Sequence, residues 1–125
     1  MNKVFIIKKN KKIYGTLEIF IDIKDNIKEA TLMYIDIYKK YRGKGLGTYL
    51  LWHMYDYIKD NHPLVEYILW DDCSDNYRTK NNIYRNIGAR YITIKGPEMI
   101  WKIQSRTKIN KRKKYNKNIK GFFIT

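Results

Sequence analysis

The segment Arg42-Gly43-Lys44-Gly45-Leu46-Gly47-Thr48 is the part of this chain whose residue types and spacing best suit chemistry. An apolar run from Ala30 to Tyr38 leads into it, and Leu46, Leu50, Met54, Tyr57 and Ile58 follow at helical spacing. This order predicts a buried strand, a glycine-rich turn and an amphipathic helix in direct succession. The first amides of a helix have no partner within it and carry partial positive charge. Glycines let an anion reach such amides with no Cβ in the way, so the segment reads as a phosphate cradle. Lys39, Lys40 and Lys44 add cations beside it, either to neutralise phosphate or as a solvated basic loop.

Spacing narrows the choice of ligand. A P-loop needs four residues between its glycines followed by Gly-Lys-Ser/Thr, and this loop has neither. A dinucleotide fingerprint needs G-x-G-x-x-G, whereas this loop reads G-x-G-x-G. The strands before it also come from hairpins rather than from a βαβ unit. A tight helix entry with no ligand is the plain structural alternative.

The elements that must position this loop follow from periodicity. Residues 3–9 read as a strand and Asn10-Lys11-Lys12 as a turn. Ile13, Gly15, Leu17, Ile19 and Ile21 alternate with more polar neighbours, as in a half-buried strand. Lys24-Asp25-Asn26 is a second turn. Leu32 and Tyr34 against Met33, Ile35 and Ile37 make Ala30–Tyr38 apolar on both faces, as a central strand would be. The loop helix stops at Asn61-His62-Pro63. Val65–Trp70 is a further strand. Asp75 and Asn76 are candidate N-caps for a helix over about 77–87, with Gly88 as its stop. Ala89–Lys95 and Glu98–Gln104 read as two last strands. The expected order is β-β-β-α-β-α-β-β, followed by a tail.

Arg42, Gly45 and Gly47 match Gln/Arg-x-x-Gly-x-Gly/Ala after a strand and at the head of a helix. That arrangement resembles the CoA-binding motif of the GNAT superfamily of N-acetyltransferases. Ile35 and Ile37 fit the apolar positions of the preceding strand, while Lys39 stands where proline is usual. A second resemblance is Asn76 followed by Ile83-Tyr84-Arg85-Asn86-Ile87-Gly88-Ala89, similar to the family's Asn and later Leu-Tyr-x-x-x-Gly-Phe. Ala89 replaces the usual Phe, and the Asn-to-Tyr interval is one residue long, so Asn76 or Tyr77 holds the family position. The resemblance spans about residues 3–104. It implies an α+β fold, a mostly antiparallel mixed sheet with a V-shaped splay and two helices. It also implies abbreviation at the N-terminus, without the usual first strand and two helices. The expected organisation is an acetyltransferase domain over 1–104 and a basic tail over 105–125.

The resemblance implies acetyl-CoA as cosubstrate, an amine as acceptor and no metal. The backbone of Ile35, Asp36 and Ile37 would hold the acetyl and pantetheine end. Arg42 and the amides of Gly43, Lys44, Gly45, Leu46, Gly47 and Thr48 would hold the pyrophosphate, with Asn76 nearby. Acetyl transfer also requires that the amine lose a proton, that the oxyanion meet donors and that the departing thiolate be protonated. The family places the last role on the tyrosine corresponding to Tyr84. For a base, anchoring on Asn76 selects Asp71 and anchoring on Tyr84 selects Asp72, with Asp36 across the slot. His53 reads as packing, His62 as a loop residue, and Cys73 lacks a local His partner. Two His and one Cys make no metal site.

Composition sets the remaining bounds. A chain of 125 residues is the size of one domain, and 44% hydrophobic content excludes disorder over most of it. No apolar run approaches the ~20 residues of a membrane span, and Met1–Lys8 is too short in its apolar part for a signal peptide. With Cys73 as the one cysteine, a reducing, intracellular and cytoplasmic setting is expected. The net charge of +14 is uneven: residues 105–125 hold eight Lys or Arg and no acid, leaving 18 basic and 12 acidic groups before them. Such a tail suggests weak, salt-sensitive nucleic-acid contact, and a catalytically inactive binding protein on the same fold is the competing reading. A homodimer is a further expectation. Lys (20), Ile (20), Asn (11) and Tyr (12) share AT-rich codons, while Arg has only six copies. That bias suggests a low-GC bacterium or a large DNA virus, and in the latter case host cytoplasm or virion. The first strand leaves an open edge, and the apolar end, Gly121-Phe122-Phe123-Ile124, is expected to dock back onto the body or onto a second subunit, with a wholly disordered basic tail as the alternative.

Overall fold

A computed structural model describes residues 1–22, 24, 28–103 and 119–125. The readings of Lys24-Asp25-Asn26 as a turn and of residues 105–118 as a solvated tail lie largely or wholly outside these residues. Strand β1 (Asn2–Lys9) and strand β2 (Lys12–Ile21) form a hairpin. Its connecting residues, Asn10 and Lys11, both have positive φ (51° and 66°), the twist a tight hairpin turn requires. β3 (Glu29–Ile37) pairs antiparallel with β2 and leads through a 3-10 turn (Lys39–Tyr41) to α1 (Leu46–Asn61). After α1 come β4 (Tyr67–Asp71), α2 (Ile83–Asn86), β5 (Arg90–Tyr91), β6 (Glu98–Lys102) and β7 (Phe123–Ile124).

The seven strands make one mixed sheet in the order β5-β6-β4-β3-β2-β1-β7, in which only β3 and β4 run parallel. α1 is the crossover that a parallel pair demands. It buries Leu46, Leu50, Leu51, Met54, Tyr55 and Ile58. These close the core with Phe5 and Ile7 of β1, Leu17, Ile19 and Ile21 of β2, and Ala30 and Leu32 of β3. Trp52 and Tyr55 of α1 meet Trp101 of β6 at centroid distances of 5.0 and 4.7 Å, carrying the core to the far strands. The opposite face of the sheet exposes Val4, Phe20, Met33 and Tyr34.

Three sequence expectations need correction. The helix expected over 77–87 is the single turn Ile83–Asn86, and its N-cap is Asn82 rather than Asp75 or Asn76. Residues 77–82 instead form turns, with Arg78 at φ 59°. The strand expected over Ala89–Lys95 is reduced to Arg90–Tyr91. The third correction concerns β3. Glu18 pairs with Tyr34 and Ile19 with Leu32, so Met33 is an inserted bulge residue. The bulge reverses side-chain parity: Ala30 and Leu32 face α1 before it, Ile35 and Ile37 after it.

Of the two docking places expected for the apolar end, it takes the body, at the edge of the first strand. β7 pairs antiparallel with β1, Ile7 opposite Ile124 and Lys8 opposite Phe123, and Ile6 and Thr125 exchange both backbone hydrogen bonds. Ile119 is buried, and Phe122 meets the Tyr14 ring edge-on at 4.9 Å.

Candidate active site

Strands β3 and β4 stay together for three pairs only, ending at Thr31 opposite Leu69. β3 continues to Ile37 along β2, and β4 continues to Asp71 along β6. Beyond Leu32 the facing edges therefore part, leaving a V-shaped slot with free backbone groups on the β3 side. The Met33 bulge lies two residues past the last pair, where the added local twist turns the rest of β3 away from β4.

The glycine loop closes the wide end of the slot. Gly43 and Gly45 have φ of 85° and 82°, a region that residues with a Cβ enter at a cost of about 1–2 kcal/mol. Nothing lies within 4 Å of a Cβ built on either, so conformation demands these glycines and the space above them is open. Gly45 is the N-cap of α1. No side chain caps the helix, its first turn carries no acid, and its first backbone bond is from Tyr49 N–H to Gly45 O. The amides of Leu46, Gly47 and Thr48 thus lack the usual helix-start partner. Gly47 marks a close approach: a Cβ there would stand 2.9 Å from Ile83 Cδ1 and 3.7 Å from Ile37 Cγ1. The head of α1, the end of β3 and the start of α2 converge at that point.

Arg42 turns back toward β3. Its Nε donates to Ile37 O at 2.7 Å, and its guanidinium is 3.4 Å from Asp36 Oδ1, an exposed pair. The side chain thus ties the loop to the strand. Tyr41, just before it, is buried and lies 4.0 Å from the Tyr14 ring, centroid to centroid. The Lys12 ammonium beside it holds the phenol below its usual range, yet Tyr41 Oη has no partner in hydrogen-bond geometry among the described residues.

At the far wall Tyr84 packs against Trp70 of β4, ring centroids 5.2 Å apart. Burial, followed by the Asp72 carboxylate, pushes its pKa up to about 12. Its position is set by Asn82, a residue the sequence reading missed. Asn82 is fully buried, and its Oδ1 accepts from the N–H groups of Tyr84 and Arg85 at 2.9 and 3.1 Å. Asn followed by Ile-Tyr at the start of a short apolar turn was the available signal. Asp72 is buried too. It accepts from Ser74 N–H at 2.9 Å, Ser74 Oγ at 2.5 Å, Asn82 Nδ2 at 2.7 Å and Tyr91 Oη. Burial works to raise its pKa, but those hydrogen bonds prevail and hold it below the usual carboxylate range.

A parallel pair that splits beside an uncapped helix head is the geometry that the family resemblance implied. The family model for the acetyltransferase (GNAT) family matches residues 2–88. The chain belongs to the GNAT acetyltransferase family. Among solved structures it is similar to the ribosomal-protein-S18-alanine N-acetyltransferase from Escherichia coli, at 20% identity and TM-score 0.61, over 86% of this chain and 72% of that one. The spermidine/spermine N-acetyltransferase from Vibrio cholerae, in mutant forms, gives 19% identity and TM-score 0.62 over 81% and 66%. The IAA acetyltransferase from Bacillus cereus gives 15% identity and TM-score 0.60 over 79% and 76%. A search of curated protein sequences returned no match. At these identities the likeness to solved structures concerns the fold.

The other residues singled out in the sequence lie as follows. Asp71 ends β4 on an exposed position directly opposite Glu98. By strand alternation it and Asp36 lie on the sheet face away from α1, whereas Tyr84 reaches the slot from the helix side. Asn76 is exposed and is engaged through its carbonyl, which accepts from Thr79 N–H and Asn82 Nδ2. Cys73 is exposed and follows Asp72 directly. His53 packs edge-on against Phe5 at 5.1 Å, and burial lowers its pKa. His62 caps the end of α1 through its N–H to Ile58 O. Trp70 Nε1, beside Tyr84, is a buried donor without a partner among the described residues. Among those residues no group of three His, Cys, Asp or Glu is arranged to hold a metal, and no helix is long and apolar enough to cross a membrane.

Proposed function

We propose that this chain is an acetyl-CoA-dependent N-acetyltransferase acting on a primary amine. The observation that carries the reading is the parting of β3 from β4 after Thr31 and Leu69, next to an uncapped α1 N-terminus with open space above Gly43 and Gly45. Residues of this kind fit a pantetheine arm and a pyrophosphate. When bound, acetyl-CoA supplies an activated acetyl thioester. The amides of Gly43 to Thr48 would hold the pyrophosphate, with Lys39, Lys40 and Lys44 around it. The free β3 edge, the backbone groups of Ile35 and the N–H of Ile37, would bind the pantetheine as an added strand would bind. Arg42 serves by holding the loop against Ile37.

Tyr84 is the proton donor in this reading. A phenol whose pKa is pushed up to about 12 stays protonated at ordinary pH, so a proton is held at Tyr84 Oη for the departing thiolate, at the cost of a weaker acid. An amine acceptor, with a free pKa near ~10.4 if lysine-like, must first lose one. Asp71 is the available base, directly or through water, because it is exposed at the end of β4, beyond the last pair with β3. Asp36 is engaged by Arg42, and the acceptors of Asp72 are filled. Two of the similar proteins are named for amine acceptors, an alanine of a ribosomal protein and spermidine or spermine, which supports an amine here. A cytoplasmic setting fits the exposed, unpaired Cys73.

Acetyl-CoA titration with melting temperature as readout tests the cofactor. A peptide N-terminus, a lysine side chain and spermidine, each with thiol release as readout, test the acceptor. At a hundredfold excess over Kd the stabilisation is about 2.7 kcal/mol. No shift at millimolar acetyl-CoA would reject the proposal.

A further inference from the structure

The geometry points to Asp72 as a positioning residue, a buried carboxylate that orients Asn82 and through it the helix turn that carries Tyr84. The inference rests on the reading of Tyr84 as proton donor for its catalytic meaning, though not for its structural content.

A carboxamide has a polarity: one end accepts and the other donates. Asn82 can cap α2 only if Oδ1 faces the N–H groups of Tyr84 and Arg85, which it does at 2.9 and 3.1 Å. Its Nδ2 must then face an acceptor. Asp72 Oδ2 stands there at 2.7 Å, with Asn76 O at 3.0 Å on the same nitrogen. An ionised carboxylate only accepts, so it enforces the useful orientation of the amide and excludes the flipped one. The helix depends on this because four residues form a single turn, which has no cooperative stability of its own.

Asp72 is itself over-determined. Ser74 supplies its N–H and hydroxyl to Oδ1, and Tyr91 Oη donates to Oδ2. Tyr91 is fixed in turn by Arg78, whose N–H reaches its oxygen at 2.7 Å and whose guanidinium lies 4.3 Å from the ring centroid. The Arg78 side chain goes on to the carbonyls of Thr93 and Gly96 at 2.9 and 2.8 Å. One carboxylate therefore joins the end of β4, the start of α2 and β5. The titratable groups acting on Tyr84 are Asp72 and Cys73 at the end of β4 and Tyr91 on β5. Asp72 is the foremost of them, and its charge opposes formation of a phenolate.

The test is a polarity swap in the full chain, with Asp72→Asn, Asn82→Asp and the double variant compared. Amide exchange at Tyr84 and Arg85 reports the cap. A titration of carbon-13-labelled tyrosine, with the Tyr84 signal identified by its loss in Tyr84→Phe, reports the charge. Each single variant is expected to speed exchange at those two amides by about tenfold or more while leaving Met54–Ile58 of α1 unchanged. The double variant, which restores one acceptor-only and one amide partner, should return exchange to within about threefold of wild type. In Asp72→Asn the Tyr84 midpoint should fall from about 12 by roughly one pH unit. Wild-type exchange and titration in Asp72→Asn, or a double variant no better than the worse single, would overturn the inference. If Asp72→Asn does not fold, the shape-conserving Tyr91→Phe removes one of the four donors. Exchange at Tyr84 should then rise about threefold, and an unchanged rate would count against the role. None of these measurements uses acetyl-CoA or an acceptor, so failure of the proposed activity would show separately, as absent cofactor binding.

Discussion

Arg42 Nε meets Ile37 O at 2.7 Å on the slot side of β3. The direction follows from the peptide plane. Tyr38 N–H bonds to Tyr14 O on β2, and in a trans peptide the carbonyl of Ile37 points the opposite way, into the gap. The arginine of the glycine motif therefore already occupies one acceptor of the edge that the pantetheine would use. It acts as a strut between strand and loop, and the Asp36 carboxylate at 3.4 Å steadies it.

Arg42→Ala should loosen the cradle without unfolding the core. Hydrogen bonds to charged groups contribute about 1.5–3 kcal/mol, so acetyl-CoA affinity is expected to fall by about tenfold or more. Calorimetric titration measures it. Arg42→Lys should not rescue fully, because an ammonium cannot hold Ile37 O and Asp36 in one fixed fork.

Gly45→Ala should lower stability by about 1–2 kcal/mol, because its φ of 82° is strained for any residue with a Cβ. The added methyl meets nothing within 4 Å, so the loss is conformational. Denaturant midpoints measure it. Gly45→Val should also abolish stabilisation by acetyl-CoA.

Tyr84→Phe should leave cofactor affinity near wild type and lower turnover by about 10²-fold or more. It should also change the pH dependence of stability. The folded-state pKa, about 12, lies above the ordinary tyrosine value of about 10, so the folded protein holds a proton that the unfolded chain releases. Stability is therefore unaffected below about pH 10 and falls as pH rises from there toward 12, by about 3 kcal/mol in all. The difference between wild type and Tyr84→Phe across that window isolates this effect from other titrations.

Phe122→Ala should cost about 1–2 kcal/mol, from a half-buried ring and its edge-on contact with Tyr14. Tyr14 in turn supports Tyr41 ahead of the glycine loop. Acetyl-CoA binding should weaken along with the melting temperature, whereas a distant core substitution of equal cost should lower the melting temperature alone.

Much of this fold was legible because hydrophobic period and glycine position carry it. Leu46–Asn61 was readable from its helical stripe, and Gly43 and Gly45 as glycines that clear the way for an anion, while the positive φ that demands them shows only in the fold. That Phe122–Ile124 would dock could be argued from an apolar end and an open edge, but the choice of this chain's own first strand over a second subunit could not. Other features depend on tertiary context. Met33 is one apolar residue among several, and only pairing with Glu18 and Ile19 reveals the bulge. Asp75 and Asn76 are as good N-caps as Asn82 by residue type. Asn82 takes the position because Asp72, ten residues earlier, holds its side-chain amide. The split between β3 and β4 came from family resemblance, since no local pattern states where two parallel strands stop pairing.

The ladder between Ile7 and Ile124 also has a consequence for synthesis. Its partners lie 117 positions apart. A ribosome adding about 5–20 residues per second leaves roughly 6–23 seconds between them. Through that interval β1 can pair with β2 while its outer edge stays bare, a template for any neighbouring nascent chain. Lys3, Lys8 and Lys9 along β1 place like charges on that edge, so two such chains repel each other where they would otherwise zip together.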